Sequence, residues 1–131
     1  MPRLMSFAYT TDQIRARTKT VTRRLGWWED RRGRRLIHPG DRLTGCAKVM
    51  GRKPGEPLVR LAEVEVIDVR REPLSLLLTD PEYGAREVAA EGFPGMDPAE
   101  FIRRYFTEAQ GVPAEQVVTR IEWRYLDEAD A

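Results

Sequence analysis

The sequence contains little of what disulfide-bonded, zinc-binding and membrane-spanning proteins require. It has one cysteine, Cys46, and one histidine, His38, which excludes an internal disulfide and a structural zinc site. A nucleophile pair of these two residues is disfavoured, because Cys46 falls in a predicted strand and His38 in the turn before it. No purely apolar run exceeds three residues, as in Leu76 to Leu78, whereas a spanning helix needs roughly twenty. Since the N-terminus also lacks a secretory signal, we expect a cytoplasmic protein without metal or cofactor.

Charged residues are abundant, and their distribution is asymmetric. The 131 residues include 22 Lys and Arg and 21 Asp and Glu, for a net charge of +1. Residues 1–60 hold 15 basic and 5 acidic residues, a net charge of +10, and residues 61–131 hold 7 and 16, a net charge of −9. The positive half can attract a polyanion, or the two halves can pair across the fold and neutralise each other. The length suits a single domain over residues 1–131.

Hydrophobic periodicity predicts an α+β architecture. Alternation over residues 42–50 predicts a half-buried strand. In a second strand the apolar phase changes at Val66 and Ile67, which predicts a β-bulge. Helix-start signals occur at Asp80-Pro81 and Asp97-Pro98. The predicted strands are 4–9, 18–24, 42–50, 58–69 and 117–126, and the predicted helices are 13–17, 81–91 and 98–109. We expect the strands to form a small barrel with flanking helices.

The side-chain pattern also predicts which residues form the core. In the last strand Val117, Ile121, Trp123 and Tyr125 are expected to point inward, and Arg120, Glu122 and Arg124 outward. In the last helix Phe101, Ile102, Tyr105, Phe106 and Ala109 form one apolar stripe, which we interpret as core packing.

The segment from Lys19 to Arg24 is the first candidate site. It combines a lysine, the hydroxyls of Thr20 and Thr22, and the guanidiniums of Arg23 and Arg24. These groups can bind phosphate or hold a polar base, because arginine forms bidentate bonds with phosphate oxygens. A solvated edge strand would have the same composition, so spacing alone does not decide.

Glu91, in the segment AAEGF, is the second candidate. A glutamate in the last turn of a helix lies near the negative end of the helix dipole, and Glu87 lies one turn before it. Both placements are mildly unfavourable, and a local rule broken without visible compensation marks a functional candidate. The alternative is an ordinary surface glutamate.

Aromatic and basic residues are interleaved in the third candidate, a predicted connector. Such a mixture is typical of stacking and phosphate neutralisation on single-stranded nucleic acid. The alternative is that one tryptophan packs on the core and the arginines are merely solvated. The residues concerned are Trp27, Trp28, Arg31, Arg32, Arg34 and Arg35.

Six segments carry a family resemblance: SFAYTT, RTKTVTRRLGW, PGDRL, VRREPL, YGAREVAAEGFPGMDPAEF and VTRIEWRYL. The most specific signature is a lysine, a threonine three residues later and an arginine two further, supplied by Lys19, Thr22 and Arg24. With these segments the chain resembles the ASCH-domain proteins nearly end to end, especially the small bacterial and phage form.

The resemblance implies a PUA-like β-barrel with flanking helices and a cleft proposed to bind RNA. One small branch of the family is an amidohydrolase acting on N4-acetylcytidine, and its catalytic lysine, threonine and glutamate match Lys19, Thr22 and Glu91. Similar ASCH proteins have been assigned ribonuclease activity. This chain is longer than the amidohydrolase branch, with an insertion over residues 27–36 and a second C-terminal helix.

We therefore predict a PUA-like α+β barrel that binds RNA or a modified nucleoside where Lys19, Thr22, Arg24 and Glu91 meet. For amide hydrolysis, Thr22 Oγ would attack the acyl carbon and Lys19 would accept its proton. Glu91 would handle protons at the leaving amine, and Arg24 would orient the substrate. A non-catalytic RNA-binding module and a ribonuclease are the alternatives, and the oligomeric state is open.

Overall fold

The computed structural model describes residues 2–127. The strands are β1 (Arg3–Ser6), β2 (Val21–Arg24), β3 (Arg42–Cys46), β4 (Arg60–Pro73) and β5 (Val117–Tyr125). The helices are α1 (Thr11–Arg15), α2 (Leu76–Thr79), α3 (Pro81–Ala90) and α4 (Pro98–Ile102). Helix α4 continues directly into a π-helical segment, Arg103–Glu108.

The strands form one mixed sheet in the order β1-β3-β4-β5-β2. Strands β1 and β3 are parallel, and the other neighbouring pairs are antiparallel. The sheet curls into a half-barrel, and β1 and β2 are its edge strands. The α+β prediction is confirmed, and the predicted small barrel takes this half-barrel form.

A β-bulge lies in β4 at the predicted position. Val66 pairs with Trp123 and Asp68 pairs with Glu122, so Ile67 is the extra residue between them. A bulge reverses the alternation of side chains, which explains why Val66 and Val69 are both buried although their parities differ. Ile67 itself is 48% exposed. The phase change in the sequence therefore located the bend of the long strand.

Two apolar clusters fill the interior. The first lies against the sheet and contains Met5, Phe7, Ile14, Ile37, Leu43, Val64, Val66, Val69, Ile121 and Trp123. The second joins the helices to β5 and contains Leu74, Leu77, Val88, Phe101, Ile102, Phe106 and Val118. Phe101, Ile102 and Phe106 of the predicted stripe pack in this core, Tyr105 is half-buried at its edge, and Ala109 is exposed rather than packed.

Several boundaries and orientations differ from the predictions. The third strand ends at Cys46, and it is not half-buried, because both of its faces are covered from Leu43 to Cys46. The ring of Phe7 covers one of these positions, where it lies 3.1 Å from a Cβ built on Gly45. Helix α1 begins at Thr11 rather than at 13, and helix α2 was not predicted.

Two side chains of β5 point the other way from the prediction. Val117 is 40% exposed rather than inward, and Arg120 is buried rather than outward. Arg120 tolerates burial because it forms ion pairs with Glu87, Asp68 and Glu122. Within residues 2–127, no helix combines the length and the apolarity needed to cross a membrane.

Candidate functional site

A cavity of about 270 Å³ is lined by the two edge strands, the end of α3 and the π-helical segment. This volume is slightly below the range of roughly 300–1,000 Å³ typical of small-molecule sites. One part of its wall is polar and carries Lys19, Thr22, Arg23, Arg24 and Glu91. The first candidate segment and the end of α3 therefore meet in one cavity, although about seventy residues separate them in sequence.

Lys19 and Glu91 form a buried ion pair. Lys19 Nζ donates to Glu91 Oε1 at 2.7 Å, and both side chains are almost fully enclosed. The same Nζ donates to the backbone carbonyl oxygen of Glu91 at 2.9 Å. The backbone of Lys19 is fixed as well, since its carbonyl oxygen accepts a hydrogen bond from the hydroxyl of Tyr125.

These contacts compensate the unfavourable position of Glu91 at the end of a helix. Glu91 is the C-cap of α3, where backbone carbonyls lack partners within the helix. Lys19 satisfies one of them, and the backbone N–H of Thr20 donates to the carbonyl of Ala90 at 2.8 Å. A cation at this helix end also interacts favourably with the helix dipole. The second candidate is therefore a buried glutamate and not a surface one.

Gly92 allows the chain before β2 to approach the end of α3. Its backbone φ is +106°, a value that residues other than glycine rarely adopt. A Cβ at this position would lie 2.7 Å from Gln13 Cγ and 3.5 Å from Lys19 Cβ. The glycine that follows Glu91 is thus required for the close approach of Gln13, and Lys19 lies in van der Waals contact beside it.

Arg23 has a place that the sequence did not predict. Its side chain is fully buried, and it pairs with Glu91 at 3.1 Å, Glu72 at 3.0 Å and Glu87 at 2.5 Å. A guanidinium held by three carboxylates is not available to bind the phosphates of a nucleic acid, so the role predicted for Arg23 is corrected here. The hydroxyl of Tyr83 completes this arrangement by donating to Glu72.

Arg120 extends the ionic network to the neighbouring strand. It lies opposite Arg23 in the β2–β5 pairing and forms a bidentate pair with Glu87, with Nε at 2.5 Å and Nη2 at 3.0 Å. The buried members balance in charge: Lys19, Arg23 and Arg120 against Glu72, Glu87 and Glu91. One feature of the sequence pointed to this network: Glu87 and Glu91 lie one turn apart on the same helix face. Arg23 pairs with both of these carboxylates.

Burial and ion pairing shift the pKa values of this network in opposite directions. Burial lowers the pKa of Lys19 below its ordinary value, and the attraction of Glu91 opposes this effect without cancelling it. Burial alone would raise the pKa of Glu87, but bonding to Arg120 and Arg23 outweighs it and lowers the pKa to about 2. Lys19 therefore loses its proton more readily than an exposed lysine does, and Glu87 is held ionised.

Thr22 and Arg24 lie next to each other on the polar wall. Arg24 Nε donates to Thr22 Oγ1 at 3.1 Å, and Arg24 Nη2 donates to the carbonyl oxygen of Ser6 at 2.7 Å. Arg24 thus connects the two edge strands, with its guanidinium 5.1 Å from the ring centre of Phe7. A fixed cation beside the Thr22 hydroxyl favours any negative charge that develops there.

Aromatic side chains form much of the remaining wall. Phe93, Phe101, Tyr105 and Phe106 line the cavity, and the rings of Phe93 and Tyr105 are stacked at 4.8 Å. Tyr9 joins them at the cavity with 77% of its surface exposed. The apolar stripe read as core thus has a second role, since it also bounds the cavity. A planar ring with one polar edge matches such a wall.

The remaining predicted residues lie elsewhere. Within the described part of the chain, the cavity lining includes neither Thr20 nor the third candidate segment. Both Trp27 and Trp28 are half-buried against the first apolar cluster, where one was expected. The guanidinium of Arg35 lies 3.5 Å from the ring centre of Trp28. It therefore covers a face of the indole ring on which a nucleic-acid base would have to stack. Arg31, Arg32 and Arg34 are exposed, and Arg34 pairs with Asp30 at 3.2 Å.

Two other kinds of reactive site, a Cys–His nucleophile pair and a metal centre, are not formed by the described residues. Cys46 is buried and His38 is exposed, so they form no nucleophile pair. Across residues 2–127, no cluster of three or more His, Cys, Asp and Glu side chains is arranged to hold a metal ion.

The fold is shared with solved structures of low sequence identity. A protein of Enterococcus faecalis V583 from family DUF984 has a TM-score of 0.62 and 12% identity over 97% of this chain and 81% of its own. The ASCH domain from Lactobacillus crispatus JV V101 has a TM-score of 0.57 and 13% identity over 94% and 78%. A hypothetical protein, PH0355, has a TM-score of 0.52 and 20% identity over 95% and 97%. No family model and no curated protein matches the sequence.

These matches define the class of fold. The chain has the α+β, PUA-like fold of an ASCH domain over nearly its whole length. The fold implied by the sequence resemblance is thereby confirmed.

Proposed function

We propose that this protein binds a modified nucleoside, free or within RNA, and hydrolyses an amide on its base, with N4-acylated cytidine as the substrate class. One observation carries the proposal: Lys19, Thr22 and Glu91 line a single cavity, and Lys19 is buried there. The base, a planar ring with a polar edge, suits a cavity with one aromatic and one polar wall. The choice of cytidine follows from the match of these three residues to the amidohydrolase branch.

In the first half of the reaction Thr22 acts as the nucleophile. Neutral Lys19 takes the proton from Thr22 Oγ while Oγ attacks the acyl carbon. The proton then passes from Lys19 to the leaving amine through Glu91 Oε1, which lies 2.7 Å from Nζ. The amide C–N bond breaks, the free amine of the base is released, and the acyl group remains on Thr22 as an ester.

Water completes the reaction. Neutral Lys19 accepts a proton from a water molecule that attacks the ester carbonyl, and the same proton then returns to Thr22 Oγ as the acyl–oxygen bond breaks. The products are a carboxylic acid and the original hydroxyl. Arg24, bonded to Thr22 Oγ1, is positioned to stabilise negative charge on the reacting oxygens.

The mechanism requires Lys19 to be neutral in part of the population. An ion pair with Glu91 raises the pKa of a lysine, whereas burial lowers it, and burial is the stronger influence at this site. The hydrolytic rate should therefore rise with pH until Lys19 is deprotonated.

A non-catalytic binding module is the second candidate, and the pairing of Glu91 favours it. Each carboxylate oxygen of Glu91 already has a cation, Lys19 on Oε1 and Arg23 on Oε2. Both oxygens of Glu91 are thus occupied by donors, which opposes the use of this carboxylate as a proton relay. In this alternative the polar wall only recognises the edge of a base.

Incubation with N4-acylated cytidines and with short RNAs tests the proposal, with released cytidine and RNA fragments separated by chromatography. Lys19→Met and Thr22→Val remove the base and the nucleophile at nearly constant volume. We expect each to lower kcat at least about 100-fold. The matched control is Lys48→Met, which removes an exposed lysine outside the cavity lining.

Each other outcome selects a different function. Full hydrolysis by Lys19→Met or Thr22→Val would overturn the mechanism. Binding of the nucleoside without release of cytidine would support the binding module. Cleavage of RNA by the wild type but not by Lys19→Met would identify a ribonuclease.

A further inference from the structure

Three carboxylates surround one buried guanidinium next to the proposed catalytic pair. Arg23 Nη1 holds Glu91 Oε2, and Arg23 Nη2 contacts both Glu72 and Glu87. Burying charged groups costs desolvation free energy, and apolar side chains of similar volume often stabilise a protein as well or better. Stability alone is therefore a weak explanation for a buried ionic network. Arg23 Nε is also buried without a hydrogen-bond acceptor among residues 2–127, which adds to this cost. The position of Arg23 thus suggests a function.

We propose that Arg23 is a positioning residue of this site: it holds one oxygen of Glu91 so that the other faces Lys19, and it places a permanent positive charge beside the Lys19 ammonium. The inference rests on the proposed function and assigns a task to a residue that acts through its contact with Glu91. Arg23 contacts Glu91 of the catalytic pair on one side and the carboxylates of Glu72 and Glu87 on the other. Its positive charge offsets the attraction that these two carboxylates would exert on the Lys19 ammonium.

The surroundings of Lys19 come from several elements. Glu91 at the end of α3 attracts the ammonium, while Arg23 and Arg24 of β2 repel it. The hydroxyl of Tyr125 on β5 binds the backbone of Lys19. Loss of Arg23 would remove one of the two repelling cations, so the ammonium form of Lys19 should become more favourable.

The acidic neighbours of Arg23 act on Lys19 in the same direction as the lost cation. On β4, Glu72 is bonded to Arg70 and Tyr83, and on α3 Glu87 is bonded to Arg120. Removal of Arg23 leaves both carboxylates with less positive charge, and this excess of negative charge also favours protonated Lys19. Both consequences raise the pKa of Lys19.

The test measures the pKa of Lys19 without relying on turnover. The chain has three lysines, Lys19, Lys48 and Lys53, so lysine labelled with 13C at Cε gives three NMR signals, and Lys19→Met assigns one of them. In Arg23→Gln we expect the pKa of Lys19 to rise by about one unit. The low-pH limb of the kcat profile should move to higher pH by the same amount.

Arg120→Gln is the matched control. It removes a buried arginine that lies opposite Arg23 in the sheet and contacts Glu87, but among the described residues it has no bond to Glu91 or Lys19. We expect a comparable loss of folding stability and a change in the Lys19 pKa of less than about one third of that in Arg23→Gln. Equal shifts in the two variants would mean that Arg23 acts only through general packing, and the inference would be wrong.

A charge-balanced variant covers the case in which Arg23→Gln does not fold. The double variant Arg23→Gln, Glu87→Gln removes one buried charge of each sign and leaves Glu72 with Arg70 and Tyr83. The pKa of Lys19 should still rise, because Arg23 and not Glu87 acts directly on it. An unchanged pKa in the folded double variant would overturn the inference.

The two proposals fail separately. A raised Lys19 pKa in Arg23→Gln, together with no turnover of any acylated nucleoside by the wild type, would support the positioning role and reject the amidohydrolase. Turnover by the wild type with the same pH profile in Arg23→Gln would reject the positioning role alone.

Discussion

At the scale of single residues, the ionisation of Glu87 in the buried ionic network depends strongly on its partners. It contacts Arg23 and a bidentate Arg120, and only 8% of its side chain is exposed. Burial would raise its pKa, but these two guanidiniums lower the pKa from 4.5 to about 2. A group whose pKa is lower in the folded state stabilises the fold above its unfolded-state pKa and loses this contribution as pH falls.

The stability of the protein should therefore depend on pH through Glu87. At about 1.4 kcal/mol per pKa unit, the shift contributes about 3 kcal/mol at pH 6, and this contribution disappears between about pH 4.5 and pH 2. Glu87→Gln should be at least that much less stable than the wild type at pH 6, with the difference shrinking toward pH 3. Urea unfolding at the two pH values measures it.

The control for this experiment is Glu82→Gln, which changes an exposed glutamate of the same helix. We expect it to stay within about 0.5 kcal/mol of the wild type at both pH values. A difference between Glu87→Gln and the wild type that is the same at pH 6 and pH 3 would contradict the assigned role of Glu87.

At the scale of elements, the end of helix α3 determines where Lys19 lies. The helix stops at Ala90, Glu91 caps it, and Gly92 turns the chain away with positive φ. The side chain of Gln13 on α1 packs into the space left by the missing side chain of Gly92, and the segment before β2 donates to two helix-end carbonyls. The site is thus a junction between one helix end and one edge strand.

Gly92→Ala tests this junction. Alanine at φ +106° is strained, and its Cβ would lie 2.7 Å from Gln13 Cγ and 3.0 Å from Gln13 Cβ. Because these atoms are close to the backbone, α1 must shift at Gln13, whose carbonyl oxygen accepts from the backbone N–H groups of Thr18 and Lys19. We expect a loss of about 2 kcal/mol or more in unfolding free energy and weaker ligand binding.

Gly95→Ala is the comparison for Gly92→Ala. Gly95 also has positive φ, +85°, but a Cβ there meets no described atom within 4 Å. Only the backbone strain should appear, about 1 kcal/mol, with ligand affinity unchanged. Equal effects on binding in the two variants would show that the junction is not what positions Lys19.

At the scale of the whole molecule, the charge asymmetry of the sequence has two outcomes. Some of the positive half pairs with the negative half: Lys19 with Glu91, and Arg23 with Glu72 and Glu87. Other basic residues, such as Arg31 and Arg32, are exposed on the connector between β2 and β3. The pairing alternative therefore holds for the buried residues, and attraction of a polyanion by the exposed ones stays a prediction.

The exposed basic connector predicts salt-dependent RNA binding. If Arg31 and Arg32 contact phosphates, the double variant Arg31→Gln, Arg32→Gln should reduce the slope of log affinity against log salt by about 0.7 per lost contact. The control is Arg103→Gln, Arg104→Gln, which removes exposed arginines that pair with Glu100 and Glu108. Filter binding of a short single-stranded RNA over a range of salt measures the slope. Equal slopes in both variants would remove the connector from RNA binding.

The sequence by itself determined most of the elements, though not helix α2, and the first members of the site. Local signals were sufficient where the cause is local: the phase change at Val66 and Ile67 produces the bulge, and Asp80-Pro81 begins α3. Lys19 and Glu91 were found because a family signature marked one and a broken helix rule marked the other. Their catalytic role is still a prediction.

Only the tertiary structure decided which polar residues are buried and with which partners. Alternation along β5 predicted that Arg120 points to solvent, yet α3 covers that face and supplies Glu87. The composition of the segment around Arg23 predicted a phosphate ligand, but three carboxylates from β4 and from α3 and its C-cap enclose this guanidinium. The physical reason is that ion pairing between distant segments depends on how helices lie on the sheet, and periodicity within a strand carries no information about that.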